Sequence, residues 1–206
     1  MLKPGIREVF TFAAIVITSI TTGCATVKDQ RVDILYQSAA NATGGSGDIH
    51  LVEESPPPTG GATTIQWVFG GITNKDGENL GNIVTDTAPT DTLMAAFVQE
   101  FKAAGYNTIQ EGSMPKDATK GLVLKSATLR VDEVKSPFSD EAKCKVKIAV
   151  EPWRDGKAIT KLEYEADYTD SAVTGREVLI SNTLLRTIQI IMKRSVPEIV
   201  NMIEKR

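Results

Sequence analysis

Few side chains in this chain have the type and setting for chemistry. Two cysteines, Cys24 and Cys144, and one histidine, His50, are its only soft nucleophiles and neutral-range titrating groups. A metal site or acid–base relay around His50 needs partners at ligand spacing, and the neighbouring sequence supplies none. The carboxylate pairs Asp132-Glu133 and Asp140-Glu141 could exchange protons in principle, but they flank a turn before a strand, where charges ordinarily face water. No Gly-x-Ser-x-Gly elbow surrounds any serine. Gly44-Gly45-Ser46-Gly47 lacks the Gly-x-x-x-x-Gly-Lys-Ser/Thr spacing of a phosphate cradle. Cys144 falls on the apolar side of an alternating stretch, the place of a small buried hydrophobe, with a reactive or interchain thiol as the alternative. These patterns assign no catalytic residue, no metal ligand set and no cofactor.

Cys24 stands apart because its setting supplies the chemistry. Lys3 and Arg7 give a positive start, Val9 to Ile20 is a mostly apolar run, and Thr21-Thr22-Gly23 leads directly into Cys24. A charged start, a short apolar run and small residues make the pattern of a secretory signal peptide. As a helix the run would measure about 18 Å, well short of a hydrocarbon core of about 30 Å. The cysteine immediately after Gly23 resembles a bacterial lipoprotein signal, cut before Cys24 and acylated on its sulfur, with Thr21 where that pattern prefers an aliphatic residue. A plain signal peptide with an incidental Cys24 is the alternative. Each buried methylene contributes about 0.8 kcal/mol, so one acyl chain holds marginally and two or more hold stably. In enterobacterial lipoproteins an Asp after the cysteine signals inner-membrane retention. By that resemblance Ala25 implies the outer membrane, with the lipid in its periplasmic leaflet.

Composition narrows the remaining classes. The formal charge of −3, from 23 basic and 26 acidic side chains, lacks the basic excess that displaces counterions from phosphates, so a dedicated nucleic-acid binder is excluded. Hydrophobic residues at 41% and charged residues at 24% suit a packed domain rather than a disordered chain. Two cysteines cannot build a disulfide framework.

The elements that must carry any site follow from periodicity. Three segments are expected: a signal peptide over 1–23, a lipidated tether over 24–62, and a single α+β domain over 63–206. The tether holds short strands near Val32–Tyr36 and Ile49–Leu51, a small polar Gly-rich link, and the stiff Pro56-Pro57-Pro58 spacer. In the body, Ile65, Trp67 and Phe69 alternate as a half-buried strand, Asn74 to Gly77 is turn chemistry, and 78–90 reads as an irregular loop. Leu93, Phe97, Phe101 and Ala104 form one helical stripe capped by Thr90 and closed by Gly105, followed by a short strand at Tyr106–Ile109.

Leu122 to Val131 is a long strand whose inward parity shifts near Ser126, a sign of a bulge. Cys144 to Val150 and Leu162 to Tyr168 are two arms of a hairpin around Asp155-Gly156, with lysines outward on the first and acids outward on the second. Glu177 to Arg194 is helical. Ser195-Val196-Pro197-Glu198 then reads as a fresh capping box starting a second piece, with a kinked continuous helix as the alternative. The expected fold class is α+β: a largely antiparallel sheet of four to six strands with two main helices on one face, preceded by a flexible tether.

That order resembles the YajG-like bacterial lipoproteins. The matching stretches are Thr64–Ile72, Leu93–Tyr106 with its Gly-aromatic ending, Lys120–Val134, the Cys144–Asp170 hairpin with its Asp-Gly-Lys turn, and the helix from Ser181 to Ile203. The resemblance implies a periplasm-facing outer-membrane lipoprotein without catalysis. The candidate partner contacts are Trp153 at a hairpin tip and its neighbour Arg154, because aromatics and Arg favour interface centres; Trp67 and Phe69 are also aromatic, and Trp67 reads first as core. The expected function is a non-enzymatic, membrane-anchored accessory that binds a protein or other envelope component. A small-ligand or lipid carrier, with a groove between helices and sheet, is the alternative.

Overall fold

The computed structural model describes residues 28–54 and 66–205. Expectations for the signal segment, Cys24, Ala25 and the Pro56–Pro58 spacer lie outside the described residues. The strands are β1 (Gln30–Arg31), β2 (Asp48–Glu53), β3 (Trp67–Asn74), β4 (Asn79–Thr85), β5 (Asn107–Glu111), β6 (Lys120–Lys135), β7 (Asp140–Arg154), β8 (Lys157–Ala158) and β9 (Leu162–Ala172). The helices are α1 (Pro89–Ala104) and α2 (Leu179–Glu204), the latter entered through a short turn at Arg176–Val178.

β6 is the trunk of one nine-stranded sheet. On one flank it runs antiparallel to β7, from Lys120↔Arg154 to Val134↔Glu141. Its other flank is shared. The first half takes β2 in parallel, and the last residues take β3 in parallel through Ile72↔Glu133 and Asn74↔Lys135. β7 continues to β9, antiparallel from Asp140↔Ala172 to Val150↔Leu162. β5 adds parallel to β2, and β1 parallel to β4.

The sheet is therefore mixed and nine-stranded, which corrects the expected antiparallel sheet of four to six strands. Besides the two-residue β1 and β8, two misread segments account for the difference, while the strand expected near Val32–Tyr36 is irregular. Residues 48–53 were expected in a tether, yet β2 sits between β5 and β6, with Ile49 and Leu51 buried. Residues 78–90 were expected to be irregular, yet 79–85 form β4, with Ile83 and Val84 buried. Register shifts between β3 and β4 broke the alternation on which the reading relied. Gly81 allows one of them: at φ +152 it passes so close to the incoming chain that a Cβ there would lie 2.2 Å from the Lys28 carbonyl oxygen. Gly70 plays the same part for β3, where a Cβ would lie 1.6 Å from the Val131 carbonyl oxygen.

The helices pack on the inner face of the sheet. Leu93, Phe97 and Phe101 of α1 and Ile180, Leu184, Ile188 and Ile191 of α2 are fully buried against Leu122, Leu124, Val131, Val146 and Val150. The parity change in β6 is present, as a register shift between Leu124 and Ser126. It moves the inward set from 122 and 124 to 129 and 131. α1 begins at Pro89 with Ala88 as its cap rather than Thr90, and ends at Gly105 in the left-handed region. α2 is continuous over 26 residues and contains Pro197, so no fresh cap forms at Ser195. A proline frees the carbonyl four residues earlier. Here both Pro197 and Lys193 lie on the exposed side of the helix, away from the core. The outward lysines of β7 do meet acids on β9: Lys145 contacts Glu165, and Lys147 lies 2.8 Å from Glu165.

Candidate functional site

Several strand ends converge at one end of the sheet. β3 and β6 finish there at Asn74 and Lys135, β7 starts there at Asp140, and β9 finishes at Ala172 opposite it. The β6–β7 turn, Ser136-Pro137-Phe138-Ser139, makes the tip. Arg176 ties this tip to the start of α2. Its Nη1 donates to the Ser136 carbonyl at 3.0 Å and to Asp140 Oδ1 at 3.3 Å. Its Nη2 donates to the Pro137 carbonyl at 3.3 Å and its Nε to the Val173 carbonyl at 3.1 Å. Asp140, almost wholly buried, also accepts the Ser136 backbone N–H at 3.1 Å. An open cleft of about 600 Å³ lies here, lined by Gln30, Lys135, Ser136, Pro137, Asp140, Arg176 and Glu177.

Two kinds of group at this end are unusual. Glu133 is buried on the inner face of β6, and its Oε2 has no hydrogen-bond partner. Lys135 Nζ stands 3.7 Å away. Burial raises the Glu133 carboxyl above the ordinary range, with Lys135 opposing and Asp140 adding to the rise. The same end carries exposed apolar side chains: Phe138 is 82% exposed, Val173 68% and Val178 48%. The sequence reading missed this tip. The available signal was a phenylalanine within Ser-Pro-Phe-Ser, since turns are ordinarily built from polar residues.

The other candidates lie elsewhere. Trp153 is half-buried and donates its indole N–H to Glu151 Oε1 at 2.9 Å. Arg154 donates to the carbonyls of Met202 (3.3 Å) and Lys205, so it serves the otherwise unpaired C-terminal carbonyls of α2. Both sit at the opposite end of β7 from the tip. Trp67 packs partly against the core, and Phe69 is buried within it. His50 Nδ1 lies 3.5 Å from Glu111 Oε1 and makes no hydrogen bond. Among the described residues, no group of three or more His, Cys, Asp or Glu is placed to hold a metal ion. Cys144 is fully buried and its thiol is pushed up to about 12, first by burial.

The best-satisfied carboxylate, Glu100 of α1, is a fastener. Its oxygens accept the Tyr36 hydroxyl, the Ser38 hydroxyl at 2.8 Å, and the backbone N–H groups of Ala39 (2.6 Å) and Ala40 (3.0 Å). Burial, and then the bond to Glu100, raise the Tyr36 phenol above its usual value. Glu204 fastens the other end, accepting Tyr106 Oη and Lys120 Nζ, each at 2.7 Å. These charges hold the chain segment 32–46 and the end of α2 against the body. The helix–sheet seam itself is filled by side chains with no exposed surface, which leaves the expected groove between them closed at those positions.

Comparison with solved structures finds similar bacterial proteins. A DUF330-family protein from Xanthomonas campestris matches with a TM-score of 0.43 at 8% identity, covering 84% of this chain and 95% of that one. Rare lipoprotein B from Shewanella oneidensis matches at 0.34 and 14% identity, covering 65% and 97% respectively. A minor lipoprotein from Acinetobacter baumannii matches at 0.31 and 10%, covering 81% and 92%. No protein-family model matches the chain, and no curated protein does. Scores this low assign the chain neither a family nor an activity, and the YajG-like resemblance gains no support from them.

Proposed function

We propose that this chain is a non-enzymatic lipoprotein, anchored through acyl groups on Cys24 to the periplasmic leaflet of the outer membrane, that serves as an accessory binding part for another envelope protein. One observation carries the reading. The Gly23-Cys24 signal ends four residues before Lys28, whose backbone N–H already donates to the Leu80 carbonyl on β4 at 3.1 Å. The folded body thus begins almost at the lipid site, and a linker that would let a soluble catalytic domain reach distant substrates is absent between residues 28 and 54. The perturbed tyrosines fit a binding body: Tyr36, Tyr106 and Tyr164 are shifted first by burial and then by the carboxylates they fasten.

The test is expression of the full chain in a Gram-negative host. The expected result is a mature N-terminal peptide beginning at Cys24 and carrying the mass of several acyl chains. Blocking the lipoprotein signal peptidase with globomycin should accumulate the precursor, and Cys24→Ser should release the protein into the soluble periplasmic fraction. A bare Cys24 sulfur in the membrane-bound protein would refute the anchor. Crosslinking in intact envelopes then identifies the partner, and no adduct with crosslinkers of several lengths would refute the binding role.

A further inference from the structure

We infer that the β6–β7 tip inserts its apolar side chains into the bilayer that holds Cys24, so that the body stands end-on to the membrane. The inference rests on the lipid anchor proposed above and adds what that anchor leaves open, the face turned to the lipid.

The incoming chain fixes the geometry. Four residues from Cys24 to Lys28 span at most about 14 Å, and Gln30, two residues on, lines the same cleft as Ser136, Pro137 and Arg176. A lipid on Cys24 therefore holds this end of the sheet at headgroup level, and the opposite end points away. Phe138, Val173 and Val178 come from three separate elements, the β6–β7 turn, the end of β9 and the entry to α2. Arg176 clamps them together through the Pro137 and Val173 carbonyls. Exposed apolar residues scattered singly need no explanation, but a braced cluster at one end does.

Charge does not provide the attraction. Lys28, Lys75, Lys135 and Arg176 at this end are matched by Asp29, Asp76, Glu78, Asp140 and Glu177. The contact is apolar, of the interfacial kind that buries side chains roughly 5–10 Å into the headgroup boundary, and it resists salt.

The experiment uses the full lipidated chain, its acylation verified by mass, in vesicles of phosphatidylethanolamine and phosphatidylglycerol with brominated acyl chains. Phe138→Trp places a reporter on the tip. Native Trp67 and Trp153 lie at the far ends of β3 and β7, the latter about 40 Å along the strand from Asp140. The expected result is a blue-shifted emission from the introduced indole, quenched by the bromines several-fold more than that of the native tryptophans, and unchanged in high salt. In a second variant, Val178→Trp is quenched, and adding Phe138→Asp removes most of that quenching while far-ultraviolet circular dichroism is unchanged. Acylated protein with an unquenched tip overturns the inference and leaves the anchor standing, whether the tip is wet or covered by a second copy, which a dimeric mass reveals. Equal quenching of Trp67 and Trp153 overturns it in favour of a body lying flat. Protein without acyl groups overturns the anchor and the inference with it.

Discussion

Removing the Glu100 carboxylate should loosen one identifiable segment before it loosens the fold. Glu100 is 1% exposed and accepts hydrogen bonds from two hydroxyls and two backbone amides of residues 36–40. A hydrogen bond to a charged group is worth about 1.5–3 kcal/mol, and a buried donor left without an acceptor costs about 1–3 kcal/mol. These four share one acceptor, so their losses do not add. Glu100→Gln keeps one acceptor oxygen and points an amide N–H₂ at donors; a cost of about 2–3 kcal/mol follows, and about 3–4 kcal/mol for Glu100→Ala. For a domain of this size, each kcal/mol lowers the melting temperature by about 2–4 °C, so Glu100→Ala should melt about 6–16 °C lower. Tyr36→Phe removes one donor with its partner retained and should cost about 1 kcal/mol. Native-state hydrogen exchange gives the spatial check. Ala39 and Ala40 amides should lose protection in Glu100→Gln, while amides in the β6–β7 ladder keep theirs. Unchanged exchange at Ala39 and Ala40, or a stability within about 0.5 kcal/mol of the parent, would refute the reading of Glu100 as a fastener.

Two further outcomes test the described elements. Because burial raises the Glu133 carboxyl, the folded state holds that proton more tightly than the unfolded chain does. Stability contributed by this site therefore falls as pH rises from the ordinary glutamate range through the raised folded value, and returns on acidification. Glu133→Gln should flatten that part of the curve in denaturant titrations between acidic and neutral pH, and an unaltered slope would show that Glu133 titrates normally. Pro197→Ala should stabilise the protein by about 1–2 kcal/mol, because an interior proline costs a helix about 3 kcal/mol and the alanine returns some chain entropy to the unfolded state. Had Ser195-Val196-Pro197-Glu198 begun a new helix, the same substitution would destabilise, and chemical denaturation separates the two signs.

What the sequence could and could not reveal divides along the range of the interactions involved. The β6 bulge, the Asp155-Gly156 hairpin, the Gly105 cap and the lysine–acid ladder between β7 and β9 depend on residues within one hairpin or one helix, and each was readable as a period or a turn residue. β2 was not readable as a central strand. His50 and Asp48 interrupt its apolar run, and a glycine-rich stretch leads into it. What makes it central is pairing with β5 and β6, about 60 and 70 residues away in sequence. β4 was hidden by Gly81, whose conformation serves a crossing with Lys28 that no local pattern reports. The tip shows the same limit from the other side. Phe138 was visible as a residue, but its exposure, and its nearness to Val173 and Val178, exist only once β7 pairs with β9 and Arg176 bridges the three segments.

Reassigning residues 28–54 from tether to a segment bonded onto the body, with strands at Gln30–Arg31 and Asp48–Glu53, changes the mechanics expected of the proposed anchor. A flexible linker of some forty residues would let the body wander over a radius of about 35 Å, and the face presented to a partner would be set by diffusion. Here the chain is bonded to β4 from Lys28 to Val32, braced by Glu100 at residues 36–40, and built into the sheet between β5 and β6 at β2. An anchor at Cys24, as proposed, would lie four residues from Lys28, and the membrane would then control the direction of the sheet's long axis. Trp153, Arg154 and the C-terminus of α2 lie some 40 Å along β7 from the β6–β7 tip, and in that arrangement would be the end farthest from the lipid. A periplasmic partner approaching from the cell interior would meet that end first. If Cys24 carries the proposed lipid, the segment that looked like a spacer is the part of the chain that would convert that anchor into a defined orientation of the whole body.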